Sequence, residues 1–304
     1  MTTTVVWHPA CGLHNPGAGH PERPERVGAV LAALRAPQLS SLIHWHQAEP
    51  ATRDALAVVH KPAYLDTLEQ MAVRGGGLLD EDTVMGPGSW DAALAAAGVA
   101  LAAVDRALEG EEEGSTAFGV TRPPGHHALA GRAMGFCFIN NVVAAARHAQ
   151  RLGRERVLII DWDVHHGNGT QALVEADASI RYVSMHQYPW YPGTGAASER
   201  GIGNVFNVPQ PPGQPRPTYV GDLLAAVDMA LHNWQPDLLL VSAGFDSLAG
   251  DPLGGFTLEP EDMAQLTTAL RERVAPAPVV GILEGGYNVE RLAAGVQSHV
   301  RALA

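Results

Sequence analysis

Cysteine is nearly absent from this chain: Cys11 and Cys137 are the only two in 304 residues. Two thiols are too few for a disulfide framework at this size, so no small cross-linked secreted fold is expected. Aromatic residues are scarce at 6%, whereas alanine and glycine abound, a balance suited to helices packed closely over a sheet rather than to a β-sandwich. Positive charge is also short. Twenty Lys and Arg face 32 Asp and Glu, giving a formal net charge of −12. Such a chain does not track a phosphate backbone, so nucleic acid is excluded as an expected partner, while cationic substrates such as polyamines or lysine-rich tails suit it.

The N-terminus carries no basic region followed by a long apolar run. The alanine-rich stretch 92–107 contains Asp105 and Arg106 and is not read as a membrane span. A cytoplasmic protein without a membrane partner is the expectation. No internal repeat, long linker or low-complexity tract divides the chain, so residues 1–304 are read as one domain. Glu111-Glu112-Glu113 reads as a solvated turn after a helix, and the proline-rich segment 209–217 as a surface loop.

What is present is apolar patterning. Hydrophobic residues make up 46% of the chain, enough for a sizeable core. Apolar, β-branched runs at 116–120, 157–160, 180–184, 237–242 and 279–283 read as strands, with weaker candidates at 3–7 and 205–208. Helical patterns fall at 54–60, 61–74, 89–108, 141–152, 219–234 and 260–274. Uniformly apolar strands alternating with helices predict an α/β fold, a mostly parallel central sheet flanked by helices on both faces.

Polar residues cluster immediately after four of these strands. The run 116–120 leads to Arg122-Pro123-Pro124-Gly125-His126-His127, and 157–160 leads to Asp161-Trp162-Asp163-Val164-His165-His166. The run 237–242 precedes Gly244-Phe245-Asp246, and 279–283 precedes Glu284-Gly285-Gly286-Tyr287. Ligands of open parallel sheets bind beyond the carboxyl ends of the strands, so four segments deliver reactive groups to one edge.

Asp163 and His165 are two residues apart and point the same way in an extended segment. Alone, such a pair reads better as a helix cap and loop polarity. With Asp246 as a third ligand it offers a three-ligand metal site with an open position, as catalytic zinc requires. Two carboxylates and a neutral imidazole roughly cancel a divalent charge, so bound water is acidified less than on three histidines and a general base is needed. His126 and His127 are the candidates. Tyr287, behind two glycines, could aim a phenol at a polarised carbonyl.

Together these residues resemble the histone deacetylase and acetylpolyamine amidohydrolase family, especially its class II and bacterial members. The resemblance starts at Gly19-His20-Pro21-Glu22-Arg23-Pro24-Glu25-Arg26 and runs through Gly135-Phe136-Cys137-Phe138-Ile139-Asn140. Its most specific block is Asp161 to Gln171, and it ends with Gly250-Asp251-Pro252-Leu253-Gly254-Gly255 and Leu283-Glu284-Gly285-Gly286-Tyr287-Asn288.

The resemblance implies an arginase/deacetylase-like fold, with Asp163, His165 and Asp246 as zinc ligands. It makes His127 the principal base and acid, pairs His126 with Asp161, and puts Tyr287 on the acyl carbonyl. Asn168 stands opposite His127, and an amide there is expected to leave the histidine neutral. Phe136, with Gly135 before it, and Tyr191 would wall an acyl-lysine channel, and Asp82 would hydrogen-bond the substrate backbone at the rim. A potassium ion is implied near Asp161, Asp163, His165, Ser184 and Met185.

Polyamine-selective relatives place a glutamate where this chain has Leu253, so the implied substrate is an acylated lysine in a peptide or protein. A small acylated amine such as an acetylpolyamine is the alternative. The ligand types accept Zn²⁺ or Fe²⁺. A two-metal ureohydrolase would need more carboxylates, and an inactive acyl-lysine-binding module would have lost a ligand or the tyrosine.

Overall fold

The computed structural model describes residues 2–109 and 114–304. The glutamate run 111–113 lies outside them. The elements are β1 (Thr3–Trp7), α1 (Glu25–Leu34), β2 (Ile43–Gln47), α2 (Arg53–Leu56), α3 (Pro62–Val73), β3 (Gly77–Leu78), β4 (Val84–Met85), α4 (Ser89–Leu108) and β5 (Thr116–Gly119). There follow α5 (Asn141–Arg151), β6 (Val157–Asp161), α6 (Asn168–Val174), β7 (Ile180–Gln187), β8 (Val205–Gln210), α7 (Arg216–Leu231), β9 (Leu238–Ala243), α8 (Pro260–Val274), β10 (Val279–Leu283) and α9 (Val289–Leu303).

Eight strands form one sheet in the order β2-β1-β5-β10-β9-β6-β7-β8, and every pairing in it is parallel. The separate β3–β4 hairpin is antiparallel. The central strands β5, β6, β9 and β10 are buried along their whole length, as apolar runs covered by helices on both faces must be. The edge strands are only partly covered: of β2, Ile-His-Trp-His-Gln, only Ile43 is buried. That polarity hides β2 from a search for apolar runs. Pro209 lies inside β8, where an edge strand tolerates a missing donor, so the loop expected at 209–217 is shorter and α7 already begins at Arg216.

Local chemistry explains the helix ends. Asn140 and Asn288 cap α5 and α9 by accepting hydrogen bonds from the amides of Val143 and Arg291. Glu259 and Asp262 form a reciprocal capping box on α8, with Pro260 in its first turn. Pro62 holds Lys61 in an extended conformation, so the helix expected over 54–60 stops at Leu56 and α3 starts afresh. The alanine-rich α4 buries most of its length against β1, β5 and β10. No helix among the described residues is long and apolar enough to cross a membrane.

Register decides where the site lies. Asp161 stands beside Ser242 of β9 and Ser184 of β7, and Leu283 stands beside Ala243. The loops that leave β5, β6, β9 and β10 therefore emerge side by side at one sheet edge.

Candidate metal centre and acyl pocket

Asp163, His165 and Asp246 come together at that edge, their ligand atoms all within 4.8 Å of one another. His165 Nδ1 lies 3.1 Å from Asp163 Oδ1 and 3.3 Å from Asp246 Oδ2. Glycine makes the approach feasible, because a Cβ at Gly285 would collide with the carboxylates of Asp246 and Asp163. The Gly285 amide instead donates to Asp163 Oδ2 at 2.9 Å.

A divalent cation fits this donor set. Asp246 Oδ2 is buried with only the 3.3 Å contact to His165 Nδ1 to meet it, too little for a buried carboxylate oxygen, so it fits a cation. Burial and the neighbouring Asp163 push the Asp246 carboxyl up to about 7. Burial opposes charge on His165 as well, yet its bonds to Asp163 and Asp246 carry it up to about 10. Both groups thus hold on to protons that a bound cation would displace.

Both tandem histidines of the β5 loop reach the site. His126 Nδ1 lies 3.0 Å from Asp161 Oδ2, and His127 Nδ1 lies 2.8 Å from Asn168 Oδ1. Asn168 Oδ1 can only accept, so His127 Nδ1 carries the proton and Nε2 is left as the free basic atom. Burial favours neutrality in His126, but Asp163 and Asp161 raise it well above the usual histidine range. His127 is driven well below that range by burial and by its neighbours His126 and His165. The expected neutral His127 is present, but the cause differs from the one expected. The Asn168 contact favours the charged ring, and burial with like charge overrides it.

The pocket above this centre has a volume of about 230 Å³. Asp82, Gly135, Phe136, Tyr191, Leu253 and Tyr287 all line it with His127 and His165, and Trp190 and Pro252 complete the rim. Gly135 and Phe136 both adopt positive φ, at 55° and 67°. Phe136 is therefore held in a left-handed conformation costing about 1–3 kcal/mol. Its amide donates to Thr83 Oγ1 at 3.1 Å, which anchors the strained turn. The Tyr191 ring stands edge-on to His127 at 5.2 Å between centroids. Ser184 and Met185 are buried on β7 beside Asp161.

Several supporting residues were not singled out as functional from sequence. Glu22 is fully buried and accepts from Arg26 at 2.9 Å and from Arg122 at 2.8 Å. Arg26 donates to the carbonyls of Glu284 and Gly286 and lies 4.9 Å from the Tyr287 ring centroid. Asp251 accepts from the amides of Tyr287 and Asn288 at 2.6 and 3.0 Å. Glu284 accepts from the amides of Gly125 and His126 and so holds the histidine loop. Their only signal in sequence was membership of the family motifs.

The histone deacetylase domain family matches residues 20–303 of this chain. The chain belongs to the histone deacetylase family. It is 39% identical over 280 residues to the histone deacetylase-like amidohydrolase of Pseudomonas aeruginosa, covering 89% of this chain and 73% of that protein. The human polyamine deacetylase HDAC10 is 37% identical over 322 residues, spanning all of this chain and 46% of its own length. The crystal structure of the HDA15 HD domain superposes with a TM-score of 0.93 at 34% identity, covering 99% of this chain and 90% of that one. Family and fold agree with the sequence reading, and the chain is a hydrolytic deacetylase of the α/β class.

Proposed function

We propose that this histone deacetylase family member is zinc-dependent and removes acetyl or short acyl groups from lysine side chains of proteins or peptides, acting as one catalytic domain. The carrying observation is the pocket: Phe136, Tyr191 and Leu253 give it apolar walls, and His127, His165 and Tyr287 also line it. Apolar walls suit the four-methylene stem of lysine, and a leucine at the mouth offers nothing to a distant ammonium.

Asp163, His165 and Asp246 would hold the ion. It would supply Lewis acidity to the amide carbonyl and to the attacking water. His127 Nε2 accepts the proton of that water as it adds to the acyl carbon. The Tyr287 hydroxyl donates to the carbonyl oxygen as negative charge develops there. His127, or His126 beside it, then passes a proton to the leaving amine, releasing acetate and free amine. Asp161 and Asn168 fix the two rings.

A structural potassium ion beside Asp161, Ser184 and Met185 belongs to the same reading. His186 donates through Nε2 to Gly195 O, so Ser184 donates to His186 Nδ1 and keeps its lone pairs for such an ion. Two buried, unpaired thiols suit a reducing cytoplasm.

Acetylpolyamine is the second reading, favoured by the name of the human relative and by Asp82 in the pocket lining. Amine release from an acetyl-lysine peptide and from N-acetylputrescine, measured in parallel on zinc-loaded protein and on His127→Ala, separates the two. Turnover of the polyamine alone would overturn the lysine assignment, and full activity in His127→Ala would overturn the role of the base.

A further inference from the structure

The pocket wall at Tyr191 belongs to the loop 188–199, the first part of the long connection 188–204 between β7 and β8. This loop is tied back to the metal-ligand segment by a chain of side chains for which the proposed chemistry has no use. Glu199, half-buried at the loop's end, accepts from the Gly195 amide at 3.1 Å and from the Ala196 amide at 3.0 Å. Its other demand is met from α6, where Gln171 Nε2 donates to Glu199 Oε2 at 2.9 Å. Gln171 Oε1 in turn accepts from Asn207 Nδ2 at 2.7 Å and from His166 Nε2 at 2.9 Å.

An amide oxygen only accepts, so His166 Nε2 carries the proton and Nδ1 accepts from Thr194 Oγ1 at 2.8 Å. Every member then has one permitted donor direction. The chain is closed at both ends: His166 follows the ligand His165, and Thr194 and Gly195 lie on the wall loop. Helix α6 joins the two tasks, since its first residue, Asn168, holds His127 while Gln171 holds the loop.

We propose that Glu199 and Gln171 are positioning residues that set the Tyr191 wall against His165 and His127 and thereby fix the fit of the acyl-amine stem. Neither touches substrate. Their effect is on the width of the pocket, so it falls on substrate binding rather than on the chemical step. The proposal rests on the acyl-amine reading of the pocket for its kinetic part only.

The test exploits the fixed donor directions. Glu199→Gln turns an acceptor toward Gln171 into a donor and leaves two amides facing each other. Gln171→Glu removes the side-chain donor to the Glu199 carboxylate and sets two carboxylates together. The double variant, with both substitutions, restores a matched pair. The new amide at position 199 caps the loop N–H groups through its oxygen and donates to the new carboxylate at position 171, which still accepts from His166 and Asn207.

The zinc-loaded chain 1–304 is assayed on an acetyl-lysine peptide, and amide hydrogen exchange of residues 188–199 is followed without substrate. Each single variant is expected to raise KM about fivefold to tenfold, the scale of one lost net hydrogen bond, with kcat within about twofold. Exchange in the loop should rise in both singles, and both readouts should return to near wild type in the double variant. Unchanged loop exchange in Glu199→Gln would overturn the tie whatever the substrate proves to be. Raised exchange with unchanged KM, or a double variant no better than the singles, would overturn the positioning role. Absence of peptide turnover in wild type would instead refute the substrate assignment, and the exchange data would still decide the tie.

Discussion

Replacing Tyr287 by phenylalanine removes a single oxygen from the proposed centre. The rest of the ring environment survives: the edge contact to Phe136 at 5.7 Å, the Arg26 guanidinium 4.9 Å from the ring centroid and the Asp251 bond to the Tyr287 amide do not involve the hydroxyl. Among the described residues the hydroxyl has no protein partner, so its loss orphans nothing and the fold should keep its melting temperature within a few degrees. Burial holds the phenol well above its usual range, so it is a protonated donor across neutral pH.

A donor aimed at an oxyanion in a dry site contributes about 2.7–4 kcal/mol to the transition state, which is a loss of roughly 10²–10³ in kcat. KM should change far less, because a neutral amide carbonyl takes little from that bond. Steady-state release of lysine amine by zinc-loaded wild type and Tyr287→Phe measures both terms. A drop in kcat of less than about fivefold would refute the reasoning, because the hydroxyl would then not face the developing charge.

Three further outcomes are expected. Leu253→Glu should shift the ratio of kcat/KM for N-acetylputrescine over acetyl-lysine peptide upward by about tenfold, since it puts an anion at the pocket mouth; an unchanged ratio would discard Leu253 as a selector. Stability should fall as pH drops below about 6.5, because His60 and His299 are buried and held down to about 4 and about 3. The unfolded chain protonates these rings near 6.5 while the native state refuses the proton, so each contributes a slope of about 1.4 kcal/mol per pH unit until its folded value is reached. Urea titrations of wild type and His299→Gln across pH 4–7 check this, and equal slopes in the two proteins would rule the ring out. Glu22→Gln should cost about 3–5 kcal/mol in the same assay, because it leaves Arg26 and Arg122 without their shared buried counter-charge. A loss below about 1 kcal/mol would show that the pair is compensated.

The reactive half of the molecule was legible in the linear chain. Asp163, His165, Asp246, His126, His127 and Tyr287 each come just after an apolar strand, and a parallel sheet gathers the loops leaving its strands at one edge. Spacing and residue type were enough to single them out as candidates, the family resemblance was needed to favour Tyr287 over a packed tyrosine, and uniformly apolar strands were enough to predict the sheet. The supporting half was not legible. Edge strand β2 carries a mixed pattern that no apolar run betrays, and its place in the order β2-β1-β5-β10-β9-β6-β7-β8 is a matter of long-range pairing, whereas helix α9 does carry a helical period at Leu292, Val296, Val300 and Leu303.

The same holds for contacts that span the chain. Glu22 meets Arg122, Arg26 meets Gly286, and Gln171 meets Glu199 only because strand order and register bring distant segments within hydrogen-bond reach. Local sequence carries the identity of a donor or an acceptor, whereas its partner and its burial are properties of the packed fold. His127 illustrates the division. Its position beside a metal site could be read from the sequence, but its neutrality comes from burial and the neighbouring histidines, which exist only once the chain has folded.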